Sequence, residues 1–192
     1  GASGDLAPLA HMAMSLIGEG RFQSRIGGQW ADSKTEAVFS DIGREPVVLE
    51  AKEGLSLING TSQMCSYLAE ASSLATKLCD AADAACAMSV EAIAGSHTPF
   101  DPRIHEIRHQ VGQGRSASRI MGHLKSSEIK ESHADCERVQ DAYSFRCAPQ
   151  VHGAVLDVLD HVTNVVISDA NSATDNPLIV PDGEGGYDVL SG

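Results

Sequence analysis

Apolar side chains recur at three- and four-residue intervals over two long stretches of the chain, and outside them the pattern breaks into short runs punctuated by Gly and Pro. Thr61 to Ala94 contains neither Gly nor Pro and is rich in Ala, Leu, Met and Glu, which predicts one long helix. From Pro149 to Ala170, Val151, Val155, Leu156, Leu159, Val162 and Val166 form an apolar stripe at helical period, a second long helix. Shorter helices are expected over Asp5 to Ile17, stopped by Gly18 and Gly20, over Thr35 to Ile42, stopped by Gly43, and over Ser116 to Lys125. Val47 to Leu49 reads as a strand, and Ile26 to Trp30 as a turn with a β-prone end. Leu178 to Val180 and Tyr187 to Leu190 flank the turn Asp182-Gly-Glu-Gly-Gly as a hairpin. Gly95 to Gly114, with Pro99 and Pro102, reads as an irregular connection holding one helical turn, and Glu128 to Asp135 as a polar, mobile stretch. The expected fold is mainly α: residues 1–192 as a single unit, part of a long-helix bundle with small β-hairpin elaborations.

Composition narrows the partners. With 42% hydrophobic and 21% charged residues the chain is an ordinary globular one, and 14 basic against 26 acidic residues give a net charge of −12. That charge repels phosphate backbones and anionic lipid, so neither nucleic acid nor a membrane is an expected partner. Leu6 to Gly18 is too short to cross a bilayer and follows no charged leader segment. Five cysteines, odd in number and without a Cys-x-x-Cys pair, suit a reducing compartment, and a cytoplasmic location is expected. The chain has no initiator Met and stops just after a strand-like segment, which predicts a piece of a longer protein.

Two constellations could carry chemistry. Ala2, Ser3 and Gly4 precede Asp5 at the start of the first helix. Ser or Asp there could be an N-cap and no more. Alternatively, a compressed turn lets the Gly4 amide nitrogen attack the Ala2 carbonyl, since Gly has no Cβ to block the approach. Loss of two waters, the second taking the Ser3 hydroxyl, then leaves a ring bearing an exocyclic methylene. The other constellation is His105-Glu106-Ile107-Arg108-His109, which matches the spacing of a zinc hydrolase helix. Flanking Pro99, Pro102, Gly112 and Gly114 argue against the stable helix such a site needs. Elsewhere, Tyr143 and Arg146 lie three apart and share a face on a helical turn, Asn59 precedes Gly60 at a turn, and Gln140 stands at a helix start.

The opening GASGDLAPLAHMAMSLIGEG resembles the prosthetic-group loop of the aromatic amino acid ammonia-lyases. KEGLSLINGT (Lys52 to Thr61), SHTPFDPRIHEIR (Ser96 to Arg108), QDAYSFRCAPQVHG (Gln140 to Gly153) and NSATDNPL (Asn171 to Leu178) resemble further blocks of that family in order. The CAPQVHG and DPRIH stretches are more similar to the branch acting on histidine than to the phenylalanine or tyrosine enzymes, and a phenylalanine or tyrosine ammonia-lyase or aminomutase is the alternative within the family.

The resemblance implies a 4-methylideneimidazole-5-one (MIO) group formed from Ala2, Ser3 and Gly4, with no metal. It also implies non-oxidative removal of ammonia from a small amino acid, which for histidine gives trans-urocanate. Such a group supplies an electron sink that ordinary side chains lack. By the same resemblance Arg146 holds the substrate carboxylate, Tyr143 sits beside the ring and assists proton transfer, Asn59 and Gln140 lie near ring and substrate, and Asp5 supports the loop. A planar guanidinium suits two parallel hydrogen bonds to a carboxylate. Family members are longer homotetramers whose active sites draw on more than one subunit. This sequence lacks their upstream tyrosine-bearing loop and C-terminal helices, so little or no activity is expected of it alone. A non-catalytic helical oligomerisation module, with Ser3 an ordinary cap, is the remaining alternative.

Overall fold

The protein is described here by a computed structural model, which covers residues 4–26 and 29–192. It is mainly α-helical with two small antiparallel hairpins, and its chain divides into two compact units, Gly1–Tyr67 with Asp169–Gly192, and Leu68–Ser168.

In the first unit, α1 (Leu6–Leu16) buries Leu9 and Ala13 and packs against α3 (Glu53–Ile58). Between them β1 (Arg21–Ile26) pairs with β2 (Gln29–Lys34), Arg21 opposite Lys34 and Ile26 opposite Gln29, so the β-prone stretch near Trp30 belongs to a full hairpin. Next, α2 (Thr35–Ile42) starts at a buried Thr35 whose hydroxyl donates to the Glu19 carbonyl at 2.9 Å. As expected it ends at Gly43, with φ 62° in the left-handed region that a Cβ disfavours. Val47 to Leu49 is not a strand. Three β-prone residues without a partner ladder do not make one, and this extended segment is instead pinned to α1 by the Val47 amide donating to the Leu16 carbonyl at 2.8 Å. At the far end of the chain β3 (Leu178–Pro181) and β4 (Tyr187–Leu190) form the expected hairpin, Leu178 opposite Leu190.

Both long helices are present, α4 over Ser62–Ala92 and α9 over Ala148–Ala170. The second unit also holds a 3-10 turn (Thr98–Phe100), α5 (Pro102–Glu106), α6 (Val111–His123), α7 (Glu128–Ser132) and α8 (Tyr143–Arg146). Its core gathers Cys86, Ala87, Val90, Phe100, Ile120, Leu124 and Ala148, with Met121 and Phe145 packed alongside. Within the polar stretch stands α7, capped by the Ser127 hydroxyl accepting from the Lys130 amide at 3.0 Å.

Helix α6 begins five residues earlier than the sequence predicts, taking in Gly112 and Gly114. Gly112 meets Gly153 of α9 so closely that a Cβ on Gly112 would lie 2.1 Å from the Gly153 carbonyl oxygen, and one on Gly153 would lie 2.3 Å from the Gln113 nitrogen. The Gly112 amide, otherwise orphaned in the first turn, donates to Asp157 of α9 at 2.8 Å. These glycines are therefore crossing residues rather than breakers.

A buried polar node completes the unit. Asp83 of α4 is 0% exposed, and its Oδ1 accepts from Ser116 Oγ of α6 at 2.6 Å and from His152 Nδ1 of α9 at 2.8 Å. Arg119 of α6 brings its Nε to 3.0 Å from Asp83 Oδ2, off the hydrogen-bonding direction, and its Nη1 onto Asp80. Among the described residues, no helix is long and apolar enough to cross a membrane.

Candidate active site

Ahead of α1, Asp5 is not a side-chain cap. Asp5 holds the N-cap position with φ −90° and ψ 66°, yet its carboxylate makes no capping bond to the helix amides. Before it Gly4 has φ 82° and lies directly on the end of α3. A Cβ at Gly4 would sit 3.0 Å from the Gly60 nitrogen and 3.1 Å from Asn59 Oδ1, tighter than ordinary contact. Asn59 is the C-cap just past that helix, in an extended conformation, its amide donating to the Leu55 carbonyl at 2.9 Å. Gly4 and Asn59, 55 positions apart by number, are thus neighbours. Ala2 and Ser3 lie outside the described residues.

Helix α3, which presents Asn59, is anchored at its other end. Lys52, with φ 73°, donates through its ammonium to Asp175, and Ser56 Oγ donates to the same carboxylate oxygen. The hydrogen bond from Lys52 first, and that from Ser56 second, hold the Asp175 carboxyl down to about 2. The sequence by itself singles out neither Lys52 nor Asp175. Its available signal was that both lie inside the matched blocks KEGLSLINGT and NSATDNPL.

The other three candidates belong to the second unit. Gln140 is exposed in the irregular segment before α8 rather than at a helix start. Tyr143 and Arg146 face the same way on α8, as their spacing predicts, with the Arg146 Cζ 4.3 Å from the Tyr143 ring centroid in a cation–π contact. Arg146 Nε donates to the Asp141 carbonyl at 3.1 Å. Tyr143 is 71% exposed in this chain, so its hydroxyl is open to a ligand.

The zinc arrangement does not form. Helix α5 ends at Glu106, and His109 has φ 56°, so the two histidines do not share a helical face. His105 is buried with both ring nitrogens engaged: Gln113 Nε2 lies 2.9 Å from Nδ1, and Nε2 lies 3.0 Å from the Pro99 carbonyl. It donates to that carbonyl and accepts from the amide, which makes it a satisfied core residue.

Two sets, a left-handed Gly against an Asn and a Tyr stacked beneath an Arg, stand where the matched sequence blocks fall. The profile of the family described as aromatic amino acid lyase matches residues 1–192. The chain belongs to the aromatic amino acid lyase family. It is 49% identical, over its whole length, to the histidine ammonia-lyase of Sorangium cellulosum, and 47% identical over 93% of its length to the human histidine ammonia-lyase. The chain spans 37% of the first of these relatives and 27% of the second. Among solved structures, histidine ammonia-lyase from Trypanosoma cruzi covers all of it with a TM-score of 0.73 at 40% identity, the chain spanning 34% of that structure. Phenylalanine ammonia-lyase from Rhodosporidium toruloides also covers all of it, with a TM-score of 0.76 at 30% identity and 29% of that structure spanned.

Proposed function

We propose that this chain supplies the prosthetic-group loop and the substrate carboxylate site of a histidine ammonia-lyase, which converts L-histidine to trans-urocanate and ammonia. The observation that carries the reading is the fit at Gly4, a left-handed residue at which a Cβ would press on Asn59 and Gly60 more tightly than ordinary contacts do. It is the position at which a self-condensing tripeptide needs a bare backbone nitrogen. The cradle fits an MIO group made from Ala2, Ser3 and Gly4, with Asn59 Oδ1 beside its Gly4 edge. When formed, that group supplies an electrophile able to activate an amine as a leaving group.

The chain's own side chains do the rest. Arg146 binds the substrate carboxylate through the two terminal nitrogens that its bond to Asp141 leaves over. Tyr143, held under that guanidinium, presents its hydroxyl to carry a proton, and Gln140 lends an amide to the ring or substrate. Asp5 and the Lys52–Asp175 anchor keep the loop and α3 in register. In this reading the complete protein is a cytoplasmic homotetramer, and the 192-residue chain alone forms no urocanate. Histidine is preferred over phenylalanine or tyrosine as substrate because the relatives that share nearly half of the residues bear the histidine enzyme's name.

Intact mass and turnover test this together. The full-length protein should weigh two waters less than its sequence, with the loss mapped to the peptide holding Ala2, Ser3 and Gly4, and should produce urocanate from L-histidine. A full mass would return Ser3 to an ordinary cap in a non-catalytic helical module. A deficit with cinnamate or coumarate formation, and none of urocanate, would move the substrate to phenylalanine or tyrosine.

A further inference from the structure

We propose that Asp141 is a positioning residue that sets the direction of Arg146, and through it the grip on the substrate carboxylate; this rests on the ammonia-lyase reading above. Between α7, which ends at Ser132, and α8, which starts at Tyr143, the backbone has no helical ladder to fix it. Asp141 lies in this stretch with its side chain only 3% exposed. Burying a carboxylate is costly unless its lone pairs are filled. Here Oδ2 accepts from the Ser96 amide at 2.7 Å, and Oδ1 lies 3.2 Å from Arg138 Nη1. The same Nη1 donates to the Ile93 carbonyl at 3.4 Å, so both partners fasten Asp141 to the C-terminal end of α4 and the residues after it. The fit is close, since a Cβ on Gly95 would come within 3.1 Å of Asp141 Oδ2.

What the carboxylate fixes, the main chain passes on. The Asp141 carbonyl accepts from Arg146 Nε at 3.1 Å. With Nε directed there and the Tyr143 ring beneath Cζ, the guanidinium plane and its open edge are both set, leaving Nη1 and Nη2 for a bidentate carboxylate. Release of the Asp141 side chain lets its carbonyl wander and the fork with it. A misplaced fork weakens ligands that carry a carboxylate and spares those that do not.

The test uses the full-length protein with Asp141→Ala, Asp141→Asn and Arg138→Ala. Each is assayed for KM and kcat on L-histidine and for inhibition by trans-urocanate, which has a carboxylate, and by histamine, which has none. Asp141→Ala should raise the histidine KM and the urocanate inhibition constant about tenfold or more, the range for loss of a buried charge-assisted hydrogen bond, while histamine inhibition and the two-water mass deficit stay as in the parent. Asp141→Asn should recover most of the affinity, because its amide oxygen still accepts from Ser96. Arg138→Ala should give a rise of about two- to threefold in the same two constants, as loss of a half-exposed partner does. Equal weakening of urocanate and histamine, an unmoved urocanate constant, or an Asn variant as impaired as the Ala one overturns the proposal. Should the Ala variant not fold, Arg138→Ala decides: a selective rise in the urocanate constant supports the proposal and none overturns it. A parent protein without ammonia release overturns the functional reading and this inference with it, whereas an active parent with flat Asp141 and Arg138 responses overturns this inference alone.

Discussion

Gly4 combines φ 82° with a backbone contact at which a Cβ would sit 3.0 Å from the Gly60 nitrogen, so strain and crowding both fall on any replacement. Gly4→Ala in the full-length protein should lose the two-water mass deficit, seen as a full-length mass for the loop peptide, and should destabilise the loop by about 1 kcal/mol from backbone strain alone. Arg146 has its Nε on the Asp141 carbonyl and its plane on Tyr143, contacts a lysine cannot reproduce. Arg146→Lys keeps the charge but forfeits the parallel pair of hydrogen bonds, and should raise the KM for histidine by roughly 10- to 100-fold in steady-state assays. At this scale the sequence was informative where spacing alone decided the outcome: Tyr143 and Arg146, three apart, do share a face. It was silent on Gly4 meeting Asn59 and on Lys52 meeting Asp175, because those contacts join positions far apart in the chain.

Among the elements, the two long helices were legible because α4 contains no Gly or Pro and α9 only Pro149, tolerated in its first turn, and Gly153. Gly112 and Gly153 show why α6 was misread. Local propensity counts a glycine as a breaker, whereas here the missing side chains allow two helices to touch and Asp157 of one caps the other. Gly153→Ala should therefore lower the stability of the second unit by roughly 3 kcal/mol, visible as a fall in the melting temperature, since the neighbour it meets is backbone that cannot rotate away. Helix α3 owes its anchorage to a carboxyl held down to about 2 by Lys52 and Ser56. Because the folded value lies below the unfolded one near 3.9, the anchor contributes in full above about pH 4 and fades as the pH falls towards 2. Amide exchange of α3 should differ between the parent and Asp175→Asn at pH 6 and converge near pH 2; a difference that persisted at pH 2 would mean the anchor is not ionic.

On the scale of the molecule, the mainly helical fold with peripheral hairpins follows from the alternation of long apolar stripes and Gly-punctuated runs, and the structure has that form. The division into two units was not visible, since α4 and α9 each run unbroken past the boundary and no linker composition marks it. The buried Asp83 carries a consequence for how the second unit comes apart. Its donors come from two other helices, so an arrangement with either one missing leaves the carboxylate short of a hydrogen bond that it has in the closed unit. Intermediates with a single helix peeled off are thereby penalised, and the unit should open in one step: amides around Asp83, Ser116 and His152 should exchange with solvent at a common rate set by that shared event.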